Sequence, residues 1–269
     1  MTQADSVWFH RSGAVQDPRV RLVCFPHAGG APTFFHNWHR RLPPEFQILG
    51  VCYPARQHRL SEPPVDSMDV LAEQLTATLV PYAQGDVPLA FFGHSMGAGV
   101  AYEVARRLSA GYGHGPVRLF TSAFRAPHRR WAVPPPADDA LLLEELRLLG
   151  SATMAVLDNA ALAKVVLPSL RADLRLVCGY ERPGAEPLGC PVVAYAGADD
   201  KEESGLEAMR DWRELTTAGF AARVFPGSHF YLEHSEAELL ADVSGHLTGD
   251  LRLRDALATS TALRGGARV

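Results

Sequence analysis

No uninterrupted apolar run in this chain approaches the roughly 18 residues that a membrane-spanning helix needs. The first stretch, Met1 to Val20, is polar and mixed and lacks the apolar centre of a secretory signal. No Cys-x-x-Cys pair occurs. Cys24, Cys52, Cys178 and Cys190 stand alone, mostly in or beside apolar segments, and read as buried free thiols instead of a metal site or disulfide framework. Neither sign of charge dominates: the net charge is −4 and the pI near 6.3, without the basic footprint of a nucleic-acid binder. No internal repeat is present. What remains is a globular composition, 269 residues with 47% hydrophobic and 21% charged, sufficient for one sizeable core. A cytoplasmic, enzyme-sized single domain spanning 1–269 is expected, with no membrane and no nucleic-acid partner.

Apolar strand-like runs alternate with helical patterns. Val20 to Phe25, Phe46 to Tyr53, Leu89 to Phe92, Val117 to Phe124, Pro191 to Ala196 and Ala221 to Phe225 read as strands. Val70, Leu71, Leu75, Leu79 and Tyr82 recur at helical spacing, and further helices are expected over Ala98–Leu108, Leu206–Thr216 and Ala237–Leu247. Strands apolar on both faces belong to a mostly parallel sheet covered by helices, so the fold class is α/β, doubly wound. Its chemistry should lie beyond the carboxyl ends of the strands. Residues 126–187 break the alternation with Pro134-Pro135-Pro136 and helical patterns over Ala140–Leu149 and Ala160–Arg175. An insertion of this length reads as a helical lid, the alternative being a second layer with purely structural duty. The end, 252–269, rich in arginine, glycine and small polar residues, is expected to be a partly disordered tail.

The densest signal is Gly93-His94-Ser95-Met96-Gly97, entered from an apolar strand and followed at once by a helix. In that context G-x-S-x-G is a nucleophile elbow, a strained turn that exposes the serine oxygen above the sheet. Gly93 and Gly97 supply the smallness that the tight turn demands. A serine hydroxyl needs a base, and the base needs a group to hold its tautomer. In folds with this elbow the order along the chain is serine, acid, histidine. Downstream, the run Tyr195-Ala196-Gly197-Ala198 leads into Asp199-Asp200, and Asp200 is favoured as the acid, with Asp199 left open. Val224-Phe225-Pro226-Gly227-Ser228-His229 again runs from strand to loop and offers His229 as the base. His234 reads as a surface or capping residue, and His94 as packing inside the elbow. Two backbone N–H groups should form the oxyanion hole, those of Met96 and of Ala28 in Pro26-His27-Ala28-Gly29-Gly30. Met96, Phe34, Phe35 and the lid leucines are candidate pocket walls. Arg56, Arg59, Arg125, Arg129 and Arg130 are candidates to meet an acidic partner or a phosphate.

These segments together carry a family resemblance. Cys24-Phe25-Pro26-His27-Ala28-Gly29-Gly30-Ala31, Tyr53-Pro54-Ala55-Arg56 with Glu62-Pro63-Pro64, and Gly93-His94-Ser95-Met96-Gly97-Ala98 resemble signatures of type II thioesterases of polyketide and nonribosomal peptide biosynthesis. So do Leu167-Pro168-Ser169-Leu170-Arg171-Ala172-Asp173 and Gly227-Ser228-His229-Phe230-Tyr231-Leu232. The resemblance spans about Arg21 to Leu247 and implies an α/β-hydrolase fold with 126–187 as the lid over an acyl pocket. It also implies a cofactor-free, metal-free hydrolase cleaving acyl thioesters from the phosphopantetheine arm of an acyl carrier or peptidyl carrier protein, usually in editing. Ser95, Asp200 and His229 would be its catalytic triad. The chain departs from the usual pattern at Ala55 and Ser228, where glycine is common, at Lys201, where proline is common, and over Gly150-Ser151-Ala152-Thr153 in the lid. None of these removes a catalytic group; the lid changes bear on acyl preference. A carboxylesterase or lipase, or an acyltransferase or cyclising thioesterase, would use the same three groups and remains an alternative.

Overall fold

The computed structural model describes residues 7–129, 137–148, 159–182, 184–200 and 205–265. Among them, strands β1 Phe9–Ser12, β2 Val20–Phe25, β3 Phe46–Val51, β4 Leu89–His94, β5 Arg118–Ser122, β6 Val192–Gly197 and β7 Phe220–Phe225 form one open sheet. The order is β1-β3-β2-β4-β5-β6-β7, with β1 antiparallel to β3 and every other neighbouring pair parallel. The helices are α1 Met68–Ala83, α2 Met96–Tyr112, α3 Asp139–Leu148, α4 Ala160–Cys178, α5 Leu206–Arg210 and α6 Glu236–Gly265, and a 3₁₀ segment covers Pro32–Arg40.

The apolar strands alternate their side chains between two cores, as a period of two dictates. On one face Val23, Phe25, Leu49, Val51, Phe91, Leu119 and Ala194 pack with the buried stripes of α1 and α2. On the other, Leu22, Cys24, Ile48, Phe92, Phe120 and Tyr195 pack with the Pro32–Arg40 segment and the first half of α6. This two-sided burial is the physical content of the doubly wound expectation. Ser67 caps α1 by accepting the Val70 N–H at 3.4 Å, and Leu71, Leu75, Leu79 and Tyr82 form its buried stripe. Val70, grouped with that stripe by spacing, faces outward at 45% exposure.

Two elements escaped the sequence reading. β1 is four residues long at the sheet edge, and its FHRS pattern is too short and too polar to separate from a loop. The Pro32–Arg40 segment buries Phe35 and Trp38 from a 3₁₀ helix, whose period differs from the α pattern. The tail expectation also changes: α6 continues past residue 252 and runs to Gly265. Arg252-Leu253-Arg254-Asp255-Ala256-Leu257-Ala258 is rich in helix formers, and extending an existing helix avoids the cost of nucleation. Arg19 also pairs with Asp255.

The connection leaving β2 goes to β3 on one side, while β4 lies on the other side of β2. The loops leaving β2 and β4 therefore diverge at a topological switch point, which opens a crevice at their carboxyl ends. Both the 26–30 loop and the serine turn lie there. Between β5 and β6, helices α3 and α4 pack through Leu142, Ala163 and Leu170 onto Ala28 of that loop.

Candidate active site

Ser95 is the only residue between β4 and α2, with φ 53° and ψ −126°. A non-glycine residue in this region is held there only when its surroundings over-determine it. Those surroundings are two glycines and a hydrogen bond. A Cβ on Gly93 would lie 2.3 Å from the Gly97 carbonyl oxygen, and one on Gly97 would lie 2.0 Å from that of Phe25. The Ser95 N–H donates to the Ser122 carbonyl at 2.8 Å, anchoring the turn to the end of β5. The elbow expected from the motif is thus present in its geometry.

The loops after β6 and β7 bring Asp200 and His229 together. The Ala198 N–H donates to Phe225 O at 2.8 Å and the Asp199 N–H to Gly227 O at 2.9 Å. A Cβ on Gly197 would meet the Ser228 carbonyl at 2.2 Å, so this close approach requires glycine. His229 Nδ1 then lies 3.2 Å from both carboxylate oxygens of Asp200, whose side chain is only 1% exposed. Asp199, in contrast, is exposed and contributes its backbone to the loop. The His229 ring sits 5.3 Å from that of His94, the residue before Ser95, so the pair is packed beside the elbow. His234 lies on the surface.

The 26–30 segment forms a turn in which the Gly30 N–H donates to His27 O at 2.9 Å, with Gly29 at φ 73° in the position that favours glycine. The Gly29 N–H donates to Asp173 at 2.7 Å. Among the described residues the Ala28 N–H has no hydrogen-bond partner, which leaves it available to an incoming oxygen. Met96 is the first residue of α2, and its N–H is one of the orphan donors of a helix start, where developing negative charge is favoured.

A model of the Thioesterase domain matches residues 20–247. The chain belongs to the thioesterase family. It is 39% identical over 247 residues to thioesterase PikA5 of Streptomyces venezuelae, covering 90% of this chain and 85% of that protein. Among solved structures, it superposes on the thioesterase RedJ from the prodiginine pathway of Streptomyces coelicolor with a TM-score of 0.78 at 36% identity, over 91% of this chain and 93% of that one. YbtT, the type II thioesterase from the yersiniabactin NRPS/PKS pathway, gives a TM-score of 0.81 at 27% identity, over 91% and 99% of the two chains. The thioesterase therefore has the α/β-hydrolase fold that the resemblance implied.

Several side chains of the thioesterase sit elsewhere than the sequence suggested. Phe35 is wholly buried with Trp38 and Phe92 and cannot wall a pocket, whereas Phe34 is partly buried against His27. Arg56 and Arg59 do not face a partner. Arg56 is paired with Asp173, and Arg59 with Glu62 at 2.6 Å while its guanidinium stacks 3.9 Å from the Trp8 ring. Arg125 is buried as well, and Arg129 is held by Asp211 and Glu214 at 2.9 and 3.0 Å. Arg130, Pro134 to Pro136, Gly150 to Thr153 and Lys201 lie outside the described residues. Among the described residues no group of His, Cys, Asp or Glu is placed to hold a metal ion, and no helix is long and apolar enough to cross a membrane.

Two buried histidines, His27 and His94, flank His229 and were not assigned a role from sequence beyond packing. His94 Nδ1 is 2.9 Å from Ser122 Oγ, which is 2.6 Å from Tyr231 Oη, so the ends of β4 and β5 and the histidine loop are tied together. His27 is enclosed by the rings of Phe34 and Phe230 at 4.9 and 4.8 Å. Burial first, then the neighbouring His229 and Arg56, push His27 down to about 3 from 6.5, and burial likewise holds His94 well below its usual value. The His27 ring stays neutral when folded and takes up a proton when unfolded, so its contribution is complete above pH 6.5 and is lost as pH falls toward about 3, and His94 acts in the same direction. His27 should cost up to ~1.4 kcal/mol of stability per pH unit in that window. Urea midpoints measured between pH 7 and 4 should fall with acidification, and His27→Phe, which suits the aromatic surroundings, should flatten the slope. An unchanged slope in His27→Phe would show that this ring is not neutral in the folded state.

Proposed function

We propose that this thioesterase hydrolyses acyl thioesters borne on the phosphopantetheine arm of acyl carrier or peptidyl carrier proteins, as an editing enzyme of polyketide or nonribosomal peptide assembly in the cytoplasm. The observation that carries the reading is the His229–Asp200 contact at 3.2 Å, packed beside a serine at φ 53° on a nucleophile elbow. The pathway named for YbtT and the likeness to PikA5 support the substrate class. The acidic net charge and the lack of a membrane-crossing helix among the described residues are compatible with cytoplasmic action.

In this reading Ser95 attacks the thioester carbonyl while His229 takes its proton and Asp200 steadies the resulting imidazolium. The Ala28 and Met96 N–H groups hold the tetrahedral oxyanion. The pantetheine thiol leaves with the proton from His229, and a water activated by the same ring releases the acid from the acyl-enzyme. No cofactor or metal takes part. Residues 126–187 act as the lid of a single-domain hydrolase, a role supported by the packing of Leu142, Ala163 and Leu170 onto Ala28.

Intact-mass monitoring of carrier proteins loaded with several acyl groups tests the proposal. The expected result is return of the holo carrier mass together with free acid, at a rate that depends on the acyl group. Faster cleavage of simple esters than of any loaded carrier would make the protein a carboxylesterase. Transfer of the acyl group to an added alcohol or amine would make it an acyltransferase.

A further inference from the structure

Arg56 and Asp173 are 117 residues apart in sequence, yet their side chains meet in the interior at 9% and 4% exposure. Arg56 Nη2 donates to both carboxylate oxygens at 2.8 and 2.9 Å. Among the described residues neither is hydrogen-bonded to Ser95 or to the loop bearing His229. What they grip instead is the backbone of the 26–30 turn. Asp173 accepts the Gly29 N–H at 2.7 Å, and Arg56 Nη1 donates to the Gly30 carbonyl at 2.8 Å. The Tyr53 hydroxyl, beneath the Arg56 guanidinium, donates to the Pro26 carbonyl at 3.2 Å. One turn of α4 before Asp173, Leu170 lies where a Cβ on Gly29 would be 3.0 Å from its Cδ1. The turn is therefore gripped on both sides of Ala28.

The backbone around Arg56 is strained on both sides, with Ala55 at φ 63° and Gln57 at φ 50°. Two successive non-glycine excursions around a single arginine require enforcement by the surroundings, and such strain clusters where a side chain must be aimed. A buried ion pair is in itself weak evidence for stability, because desolvation offsets its attraction. Its directional contacts to backbone are what distinguish this one.

We propose that Arg56 and Asp173 are positioning residues that aim the Ala28 N–H at the reacting carbonyl oxygen, and that the Leu170–Asp173 stretch of α4 forms part of the oxyanion-hole frame. The inference rests on the hydrolase reading above. Fixing the Gly29 N–H on Asp173 and the Gly30 carbonyl on Arg56 sets the planes of the adjacent peptides, and the free Ala28 N–H is directed as a result. An oxyanion donor acts only on charge that develops in the transition state, so its misalignment lowers kcat and leaves ground-state binding intact.

Asp173→Asn keeps an acceptor for Gly29 but weakens the grip of Arg56, and Arg56→Lys keeps the charge but loses the second arm to Gly30. The variants are compared with the intact chain on an acyl-N-acetylcysteamine thioester and a 4-nitrophenyl ester of the same acyl group. An acyl trifluoromethyl ketone, which forms a tetrahedral oxyanion on serine, and a non-reacting acyl thioether report transition-state-like and ground-state binding. Asp173→Asn should lower kcat ~10- to 100-fold, up to the loss from a misplaced group and below that of a donor removed outright. KM and thioether affinity should stay within about threefold, while ketone affinity falls in step with kcat. Unchanged kcat and ketone affinity, even with a lowered urea midpoint, would reduce the pair to a structural contact and overturn the proposal. Should Asp173→Asn not fold, Arg56→Lys is read in the same way, with a kcat loss supporting the proposal and none overturning it. A Ser95→Ala control separates the two claims: retained hydrolysis there sinks the serine mechanism on which the inference rests, whereas its loss beside an unaffected Asp173→Asn sinks only the positioning role.

Discussion

Ser95→Ala should lower kcat for thioester hydrolysis by about a million-fold, the scale seen when one member of a cooperating triad is removed. The size of the loss follows from the division of labour. Without the hydroxyl no acyl-enzyme forms, and His229 and Asp200 have no proton to move. The backbone donors at Ala28 and Met96 remain, and a residual acceleration of roughly 10³–10⁴ over water is expected from them and from binding. Alanine tolerates the φ of 53° no worse than serine, and the glycine contacts that enforce the turn do not involve the hydroxyl. Stability should therefore shift by no more than about 0.5 kcal/mol. If the proposed carrier-protein substrate holds, its binding should also persist, and the variant becomes a trap for loaded carriers. Single-turnover mass spectrometry checks both points. Hydrolysis near the unmodified rate, or fluorophosphonate labelling of the variant, would remove Ser95 from its assigned place.

Much of this was legible in the chain because its strands are buried on both faces. Continuous apolar runs such as Leu89 to Phe92 leave little choice but a covered parallel sheet, and the elbow motif marks the carboxyl end of one strand. The reading failed where the physical reason for a residue lies far away in sequence. Arg56 looks like a mouth arginine until Asp173, 117 residues further along the chain, pairs with it in the interior. A local trace of that role did exist. Ala55 stands where resembling chains have glycine, and its φ of 63° shows why glycine suits the position. Gly197 gave no comparable hint, since its need arises from the Ser228 carbonyl on a different loop. β1 was lost because four residues on a sheet edge carry too little periodicity. The extension of α6 to Gly265 is not carried by composition alone, because it depends on strong helix formers continuing a helix already nucleated.

The neighbouring aspartates provide the second large effect, and a sharper test of geometry. Asp200→Asn should lower kcat by about 10⁴, the order observed when a triad aspartate loses its charge without loss of shape. Both Asp200 oxygens lie 3.2 Å from His229 Nδ1, so the carboxylate requires the proton to sit on Nδ1 and leaves Nε2 free to accept from Ser95. An amide can turn its NH₂ toward the ring. Nδ1 then becomes the acceptor, the proton moves to Nε2, and the base faces the serine with no lone pair. The charge that offsets the imidazolium is lost as well, in a site where the carboxylate is 1% exposed and poorly screened. Asp199→Asn should change kcat by less than about tenfold, because its side chain is exposed and its part in the loop is the backbone N–H on Gly227, which asparagine retains. Steady-state kinetics on one thioester substrate distinguish the two. A greater loss at position 199 than at 200 would mean that the loop rearranges when substrate binds and that the acid is the other aspartate.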